Sequence, residues 1–205
     1  MEPTDYSTNP FSQPSAPPIE YIRVGFGKRL VAYLIDALIL TTVMVGLGLL
    51  FMGLDLQNLS FVQAKVDQVL EIYKVIGVPS NLQSFVESFL GAIMMSGLIG
   101  GTLYPLIEGI TGASPGKRTL RIVVANPDGK AGSLPLFLKR AAIKNIGSLL
   151  QLIAILPALA FFETISSIVG IVIFLGCFAA LGASRLALHD LIAQTAVFHV
   201  EDVHS

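Results

Sequence analysis

The chain has 205 residues, 53% hydrophobic and only 13% charged, with a mean hydropathy of +0.73. A soluble domain carries about 25% charged residues, so this composition excludes an ordinary water-soluble fold and requires lipid around much of the surface. The net charge of −1 points to no class of partner, and no nucleic-acid partner is expected; what informs is where the charges fall.

Residues 1–22 hold Pro3, Pro10, Pro14, Pro17 and Pro18 among Ser, Thr, Asn and Gln. This composition buries too little apolar surface to fold, which predicts a disordered tail. The PPIEY segment at 17–21 does not match the common PPxY ligand. A cleaved secretory signal is not expected, because the first apolar run is too long for an h-region and should remain as an anchor.

That run follows Lys28-Arg29 and extends from Leu30 to Gly53. At about 1.5 Å per residue it can cross a hydrocarbon core of about 30 Å. Asp36 lies inside it, and an ionisable group there costs roughly 2.5–3.5 kcal/mol on insertion scales. Arg29 and Asp36 are seven apart and share a helix face, with Tyr33 between them. One reading is an ion pair or buried hydrogen bond that holds the helices together. The other is a proton or cation site, in which Asp36 titrates and Arg29 tunes it. Asp36 would lie roughly 9 Å down the helix, about a third of the way across. The spacing favours the structural reading.

Residues 54–84 carry Val62, Val66, Val69, Leu70, Tyr73 and Ile76 at helical spacing with charged residues between, which predicts an amphipathic, extracytoplasmic interfacial helix. A second span is expected over 85–107. Its small residues form two rows, Gly97 with Gly101 and Ala92 with Ser96 and Gly100, which suit close helix contact, either in a dimer seam or against span 1. Residues 109–145 then hold Lys117, Arg118, Arg121, Lys130, Lys139, Arg140 and Lys144 against one acid, Asp128. The positive-inside rule places this loop and the N-terminus in the cytoplasm. Within the loop, RIVVA and NPDG predict a strand and turn. Ser133 is expected to cap a short amphipathic helix whose basic residues face lipid headgroups.

The apolar stretch from Ile146 to Gly182 is too long for one ordinary span, and Pro157 with Glu163-Thr164 suggests a break. Spans over 142–160 and 165–183 are expected, with a re-entrant segment as the alternative to the first. Cys177 is the single cysteine; it cannot form an internal disulfide and is assigned to packing.

Motifs for chemistry are weak. GASPGKR at 112–118 departs from a phosphate-binding P-loop at Thr111 and Arg118. His189 and Asp190 are adjacent, so on a helix they point in different directions. No serine lies in a GxSxG elbow. No enzymatic activity, metal or cofactor is expected.

Three segments together resemble the RDD membrane proteins, a family named for one arginine and two aspartates: GFGKRLVAYLIDALIL at 25–40, SPGKRTLRIVVANPDGKAGSLPLFLKRAAIKNI at 114–146, and RLALHDLIAQTAV at 185–197. The resemblance assigns the name residues to Arg29, Asp36 and Asp190. Tyr33, His189, Lys117 and Arg118 are expected as supporting positions of that polar site. The family's middle motif usually reads T-x-GK-R, whereas here Ser114-Pro115 precedes Gly116-Lys117. The resemblance implies a bacterial cytoplasmic-membrane protein. Some family members are associated with sodium–proton exchange, and others are membrane domains fused to unrelated modules.

The resulting expectation is an all-α membrane protein of about four spans with both termini cytoplasmic. Its domains would be a tail over 1–22, a membrane domain over 23–198 and a C-terminal tail over 199–205. It would transport a small solute or exchange cations for protons as a homo-oligomer, with Asp36 as carrier and Arg29 and Asp190 at the cytoplasmic mouth. The alternative is a scaffold or assembly factor with a cytoplasmic docking surface. Anionic headgroups are expected partners of Lys117, Arg118, Arg121, Lys139, Arg140 and Lys144 in either case; the sequence names no protein partner.

Overall fold

A computed structural model describes residues 22–55, 62–64, 66–67, 69–71 and 79–204. Of the expected disordered leader over 1–22, residues 1–21 lie outside the described residues, as do Tyr73 and Ile76 of the expected amphipathic helix. The described positions between 62 and 71 are helical, with Val62 and Val66 buried.

Helix α1, Phe26–Gly53, follows from an apolar run in which Asp36 is the one carboxylate. Helix α2, Ser80–Thr111, begins after Pro79 and stops at Gly112, whose left-handed φ of 74° lets its N–H close onto the Glu108 carbonyl at 2.8 Å. A side chain at Gly112 would also strike the Phe137 ring at 2.7 Å, so glycine is required there twice over. The helix runs further than the expected 85–107, and this extension brings Glu108 inside it.

The two long helices pack where one or both lack bulk. Gly48 of α1 faces Ser96 and Ile93, while Gly97 and Gly100 of α2 lie against Met44 and Leu40. The row Ala92, Ser96 and Gly100 therefore serves contact within the chain. A Cβ at Gly101 would meet nothing within 4 Å, so the Gly97–Gly101 pair does not enter this seam as a unit.

Beyond α2 come α3 (Pro115–Thr119), β1 (Ile122–Ala125) and α4 (Leu134–Lys144). The expected strand is present, and the expected turn closes through Gly129, whose N–H reaches the Asn126 carbonyl at 3.0 Å. Ser133 occupies the N-cap position of α4 without a side-chain capping bond.

The stretch 142–160, expected as one span, is divided. Helix α4 ends at Asn145, whose side-chain amide bonds back to the Ala141 carbonyl at 2.8 Å. Helix α5 then covers only Ile146–Ile153, about 12 Å at ~1.5 Å per residue. A 3-10 turn at Pro157–Leu159 follows, where proline lacks the N–H needed to continue an α-helix. Helix α6, Phe162–Gly176, prolonged by a 3-10 turn over Cys177–Leu181, packs along α5, and its Ser166 hydroxyl donates to the Gly147 carbonyl at 2.9 Å.

Among the described residues, three helical segments are long and apolar enough to cross a membrane: Phe26–Gly53, Leu82–Thr111 and Phe162–Leu181. Only 11% of the most apolar window of the first is buried within the chain, so its side chains need lipid or another chain around them.

The last elements return to the start. Helix α7 spans Leu188–Ala193, and β2, Ala196–His199, pairs antiparallel with β1 in the register Ile122 to His199 through Ala125 to Ala196. The Val24 N–H bonds to the Val197 carbonyl at 2.8 Å, and Val124 N–H to the Gly112 carbonyl at 2.9 Å. Thus the entry to α1, the exit from α2 and the exit from α7 meet at one small sheet. Val24, Ala32, Ile122, Val124 and Val197 form its core. The residues expected as a C-terminal tail run on beside 129–131, where Ala131 N–H bonds to the His204 carbonyl at 2.8 Å.

Candidate functional site

The charged side chains expected to act together are sorted into two neighbouring arrangements. Although one helix face carries both Arg29 and Asp36, they take different partners.

Asp36 accepts three bonds from neutral donors: the Tyr104 hydroxyl at 2.8 Å, the Ser114 hydroxyl at 2.5 Å and the Gly116 N–H at 2.7 Å. Ser114 is at the same time the N-cap of α3, receiving the Lys117 N–H at 3.4 Å. The SPGK segment is thereby docked onto α1. The docking needs glycine, because a Cβ at Gly116 would collide with the Ala32 carbonyl and come within 3.0 Å of the Asp36 carboxyl. This gives GASPGKR a role the failed nucleotide motif did not suggest: a backbone N–H is brought to a carboxylate inside a span.

Arg29 instead anchors the ends of the chain. It donates to the Val24 carbonyl at 3.0 Å, to the Arg185 carbonyl at 2.8 Å and to the Asp190 carboxylate. Asp190 is completely buried and also accepts Arg140 Nε at 2.8 Å, the Ala187 N–H at 3.3 Å and the Thr195 hydroxyl at 3.4 Å. The Ala187 contact caps α7, which places Asp190 at the helix's first turn.

Arg140 carries the network onward, binding Glu108 on α2. Glu108 also receives Lys117 at 2.5 Å and Lys144 at 2.9 Å. The connected set is Arg29, Asp190, Arg140, Glu108, Lys117 and Lys144, four cations against two carboxylates. It joins α1, α2, α3, α4 and α7.

Burial sets the protonation states outside the spans. Burial is the largest influence on His189 and the nearby Arg140 adds to it, pushing the imidazole down to about 3, so it is neutral near pH 7. Arg140 Nη2 can only donate to His189 Nε2, 3.0 Å away, which puts the imidazole proton on Nδ1. Nδ1 is buried and has no hydrogen-bond partner among the described residues. For Asp190, burial alone would raise the carboxyl, but Arg140 and Arg29 outweigh it and hold it well below the usual carboxylate range. Burial, then Arg140, pushes the Lys117 ammonium down to about 7, with Glu108 opposing. Loss of water around the ammonium, reinforced by the neighbouring cations, is the physical reason that this lysine yields its proton easily.

The supporting positions divide similarly. His189 and Lys117 belong to the network. Tyr33 is 60% exposed and Arg118 is exposed, and neither reaches it. The headgroup-facing assignment of Lys117 and Arg140 is corrected: Glu108 and Asp190 turn both inward, leaving Arg118, Arg121 and Lys139 as exposed cations of that set. Glu108 and the pairing of Arg140 with Lys144 were missed from sequence. The available signal was a carboxylate one residue beyond the expected end of span 2, together with two cations four apart on a helix. A cleft of about 470 Å³ between Lys139, Gln194 and Thr195 reaches the edge of Asp190.

These features define a mostly helical membrane protein whose apolar helices are pinned at one end by a buried ion network. The RDD family matches residues 23–194, and the chain belongs to that family. No curated protein and no solved structure matches the chain.

Proposed function

We propose that this chain is a multi-pass scaffold of the bacterial cytoplasmic membrane, presenting a rigid cytoplasmic platform to a protein partner. The observation carrying this reading is the commitment of Arg29, Asp36 and Asp190 to contacts between distant parts of the chain. Asp36 fastens α3 to α1; Arg29 fastens α7 and the 185 carbonyl to α1; Asp190 joins α7 to α4. Such groups fix one arrangement of the helix ends, which is what a platform requires.

Topology supports four crossings. The entry to α1 and the exit from α2 bond to the sheet, and Phe178 at the end of the α6 segment stacks on Phe26, so in this reading residues 145–161 connect the polar end of α4 to the far end of α6. With α5 too short alone, its helix and the following turns would together make the third passage. Exposed Arg118, Arg121 and Lys139 on the sheet side support placing that side, and both termini, in the cytoplasm.

One observation favours the transport reading as the second. Among the described residues, Asp36 is bonded by neutral donors and takes no cation as a hydrogen-bond partner, so protonating it would break no ion pair there. A cation–proton exchanger would use that freedom, with further copies completing the path. Proton movement in proteoliposomes under Na⁺, K⁺ or Li⁺ gradients separates the readings. The scaffold reading expects no cation-dependent flux from folded wild type, and a stoichiometric partner in native membranes lost on disrupting the platform by Glu108→Gln. Flux that disappears in a folded Asp36→Asn variant would overturn it in favour of exchange.

A further inference from the structure

A cleft of about 440 Å³ lies beside the entry to α1, away from the buried network's carboxylates. Arg23, Lys28, Arg185, His199 and Asp202 supply its charged and titratable lining. Among the described residues, three cations face one acid, leaving two positive charges in excess with His199 counted as uncharged. The cations are held in position by neutral groups. Arg23 donates to the carbonyls of Ser184 and Pro127 at 3.2 and 3.3 Å, Arg185 to the Arg23 carbonyl at 2.8 Å, and Lys28 contacts His199 Nε2 at 3.1 Å. These contacts fix the positions of the charges without cancelling them.

The backbone adds to the same field. Gly25 and Gly27 line the cleft, and a Cβ at either would meet nothing within 4 Å. Helix α1 starts here with no side-chain cap and no acid in its first turn, so its leading N–H groups join the cations in favouring an anion.

The surroundings indicate which anion. Phe26 stacks on Phe178 with ring centroids 5.5 Å apart, tying the start of α1 to the end of the α6 segment. Ile22 in the cleft lining, Leu30 on α1 and Leu181 at the end of the α6 segment are exposed. A phosphate held in the cleft would therefore sit at the boundary where apolar helix surface begins. We propose that the cleft binds the phosphate of an anionic phospholipid, with the acyl chains lying along the exposed ends of α1 and the α6 segment. Basic pockets beside membrane helices suit such headgroups. This proposal does not depend on the scaffold reading.

The test uses the full chain in an uncharged detergent. Short-chain phosphatidylglycerol, short-chain phosphatidylcholine and inorganic phosphate are titrated separately, with bound lipid counted by native mass spectrometry and unfolding followed by circular dichroism. One saturable phosphatidylglycerol is expected, with little phosphatidylcholine binding. Lys28→Gln should weaken it about fivefold, the effect of removing one cation near a membrane surface, and Lys28→Glu should weaken it further. Lys28 is exposed, so both variants should unfold like wild type without lipid; Arg185→Gln provides an independent second removal of charge. Inorganic phosphate binding as tightly as phosphatidylglycerol would retain the phosphate site but overturn the lipid as its source. Equal binding of phosphatidylcholine, or unchanged binding in both Lys28→Glu and Arg185→Gln, would overturn the site.

Discussion

Replacing Glu108 by glutamine tests whether the ion network holds the polar end together. Glu108 is 5% exposed and faces Arg140, Lys117 and Lys144. The substitution keeps the side chain's size but leaves three cations beside an uncharged amide. Arg29, Arg140 and Lys144 would then share Asp190 as the sole carboxylate of the network, and Lys117, already pushed down to about 7, would lose the partner that favours its proton. Removing one partner of a buried ion pair costs about 3–5 kcal/mol, because the remaining charge stays desolvated. That is a large part of the roughly 5–15 kcal/mol stability of a typical protein. For a chain of this length, the corresponding fall in Tm is roughly 6–20 °C. The assay is thermal unfolding in a fixed detergent, followed by circular dichroism. Combining Glu108→Gln with Lys117→Met removes a surplus cation and should recover part of the loss, so the double variant is more stable than the sum of the single effects predicts. Asp128→Asn provides a contrast, since Asp128 pairs with Lys130 where both side chains are more than half exposed; little change is expected. If Glu108→Gln unfolds within a degree or two of wild type, the network does not carry the stability assigned to it.

Other perturbations probe separate parts of the argument. Gly116→Ala should lower stability by about 3 kcal/mol or more, since moving α3 off the Ala32 carbonyl disrupts bonds to the Asp36 carboxylate, each worth roughly 1.5–3 kcal/mol; unchanged unfolding would refute the docking role. His189 titrates at about 3 when folded, against ~6.5 when unfolded, so its contribution is constant above pH 6.5 and stability is lost as pH falls from 6.5 towards 3. The slope is about 1.4 kcal/mol per pH unit, and His189→Gln should remove it between pH 6.5 and 5, above the range in which unfolded carboxylates take up protons. An identical slope in the variant would exclude His189 as its source. Gln194 ends α7 with φ at 58°, so Gln194→Gly should gain roughly 0.5 kcal/mol, the left-handed penalty of ~1–2 kcal/mol less the entropy cost of glycine, ~0.5–1 kcal/mol; a measured loss would show that the strain is already relieved.

Much of the architecture was legible because it depends on local composition. The runs forming α1 and α6 exceed any apolar segment a soluble domain needs, and lipid is the solvent that suits them. RIVVA-NPDG announced a strand and turn through β-branched residues followed by turn formers, and both are present. The motif at 114–118 was noticed but not understood. Its purpose depends on a carboxylate 78 to 80 positions earlier. The division at Asn145 was also obscure, because an apolar stretch has similar hydropathy whether it runs as one helix or as two.

The sequence by itself determined that this protein needs a membrane, where its apolar runs lie and that it carries the RDD residues, since hydropathy and motif are properties of neighbouring positions. Tertiary structure alone decided what those residues touch. Arg29 and Asp36 share a helix face, yet the first turns to Asp190 and the second to Ser114 and Gly116. Glu108, unremarkable in the sequence, became the meeting point of three cations. The physical reason is that a buried charge is stable only beside groups that replace its lost water, and in this chain those groups arrive from helices far apart along the sequence.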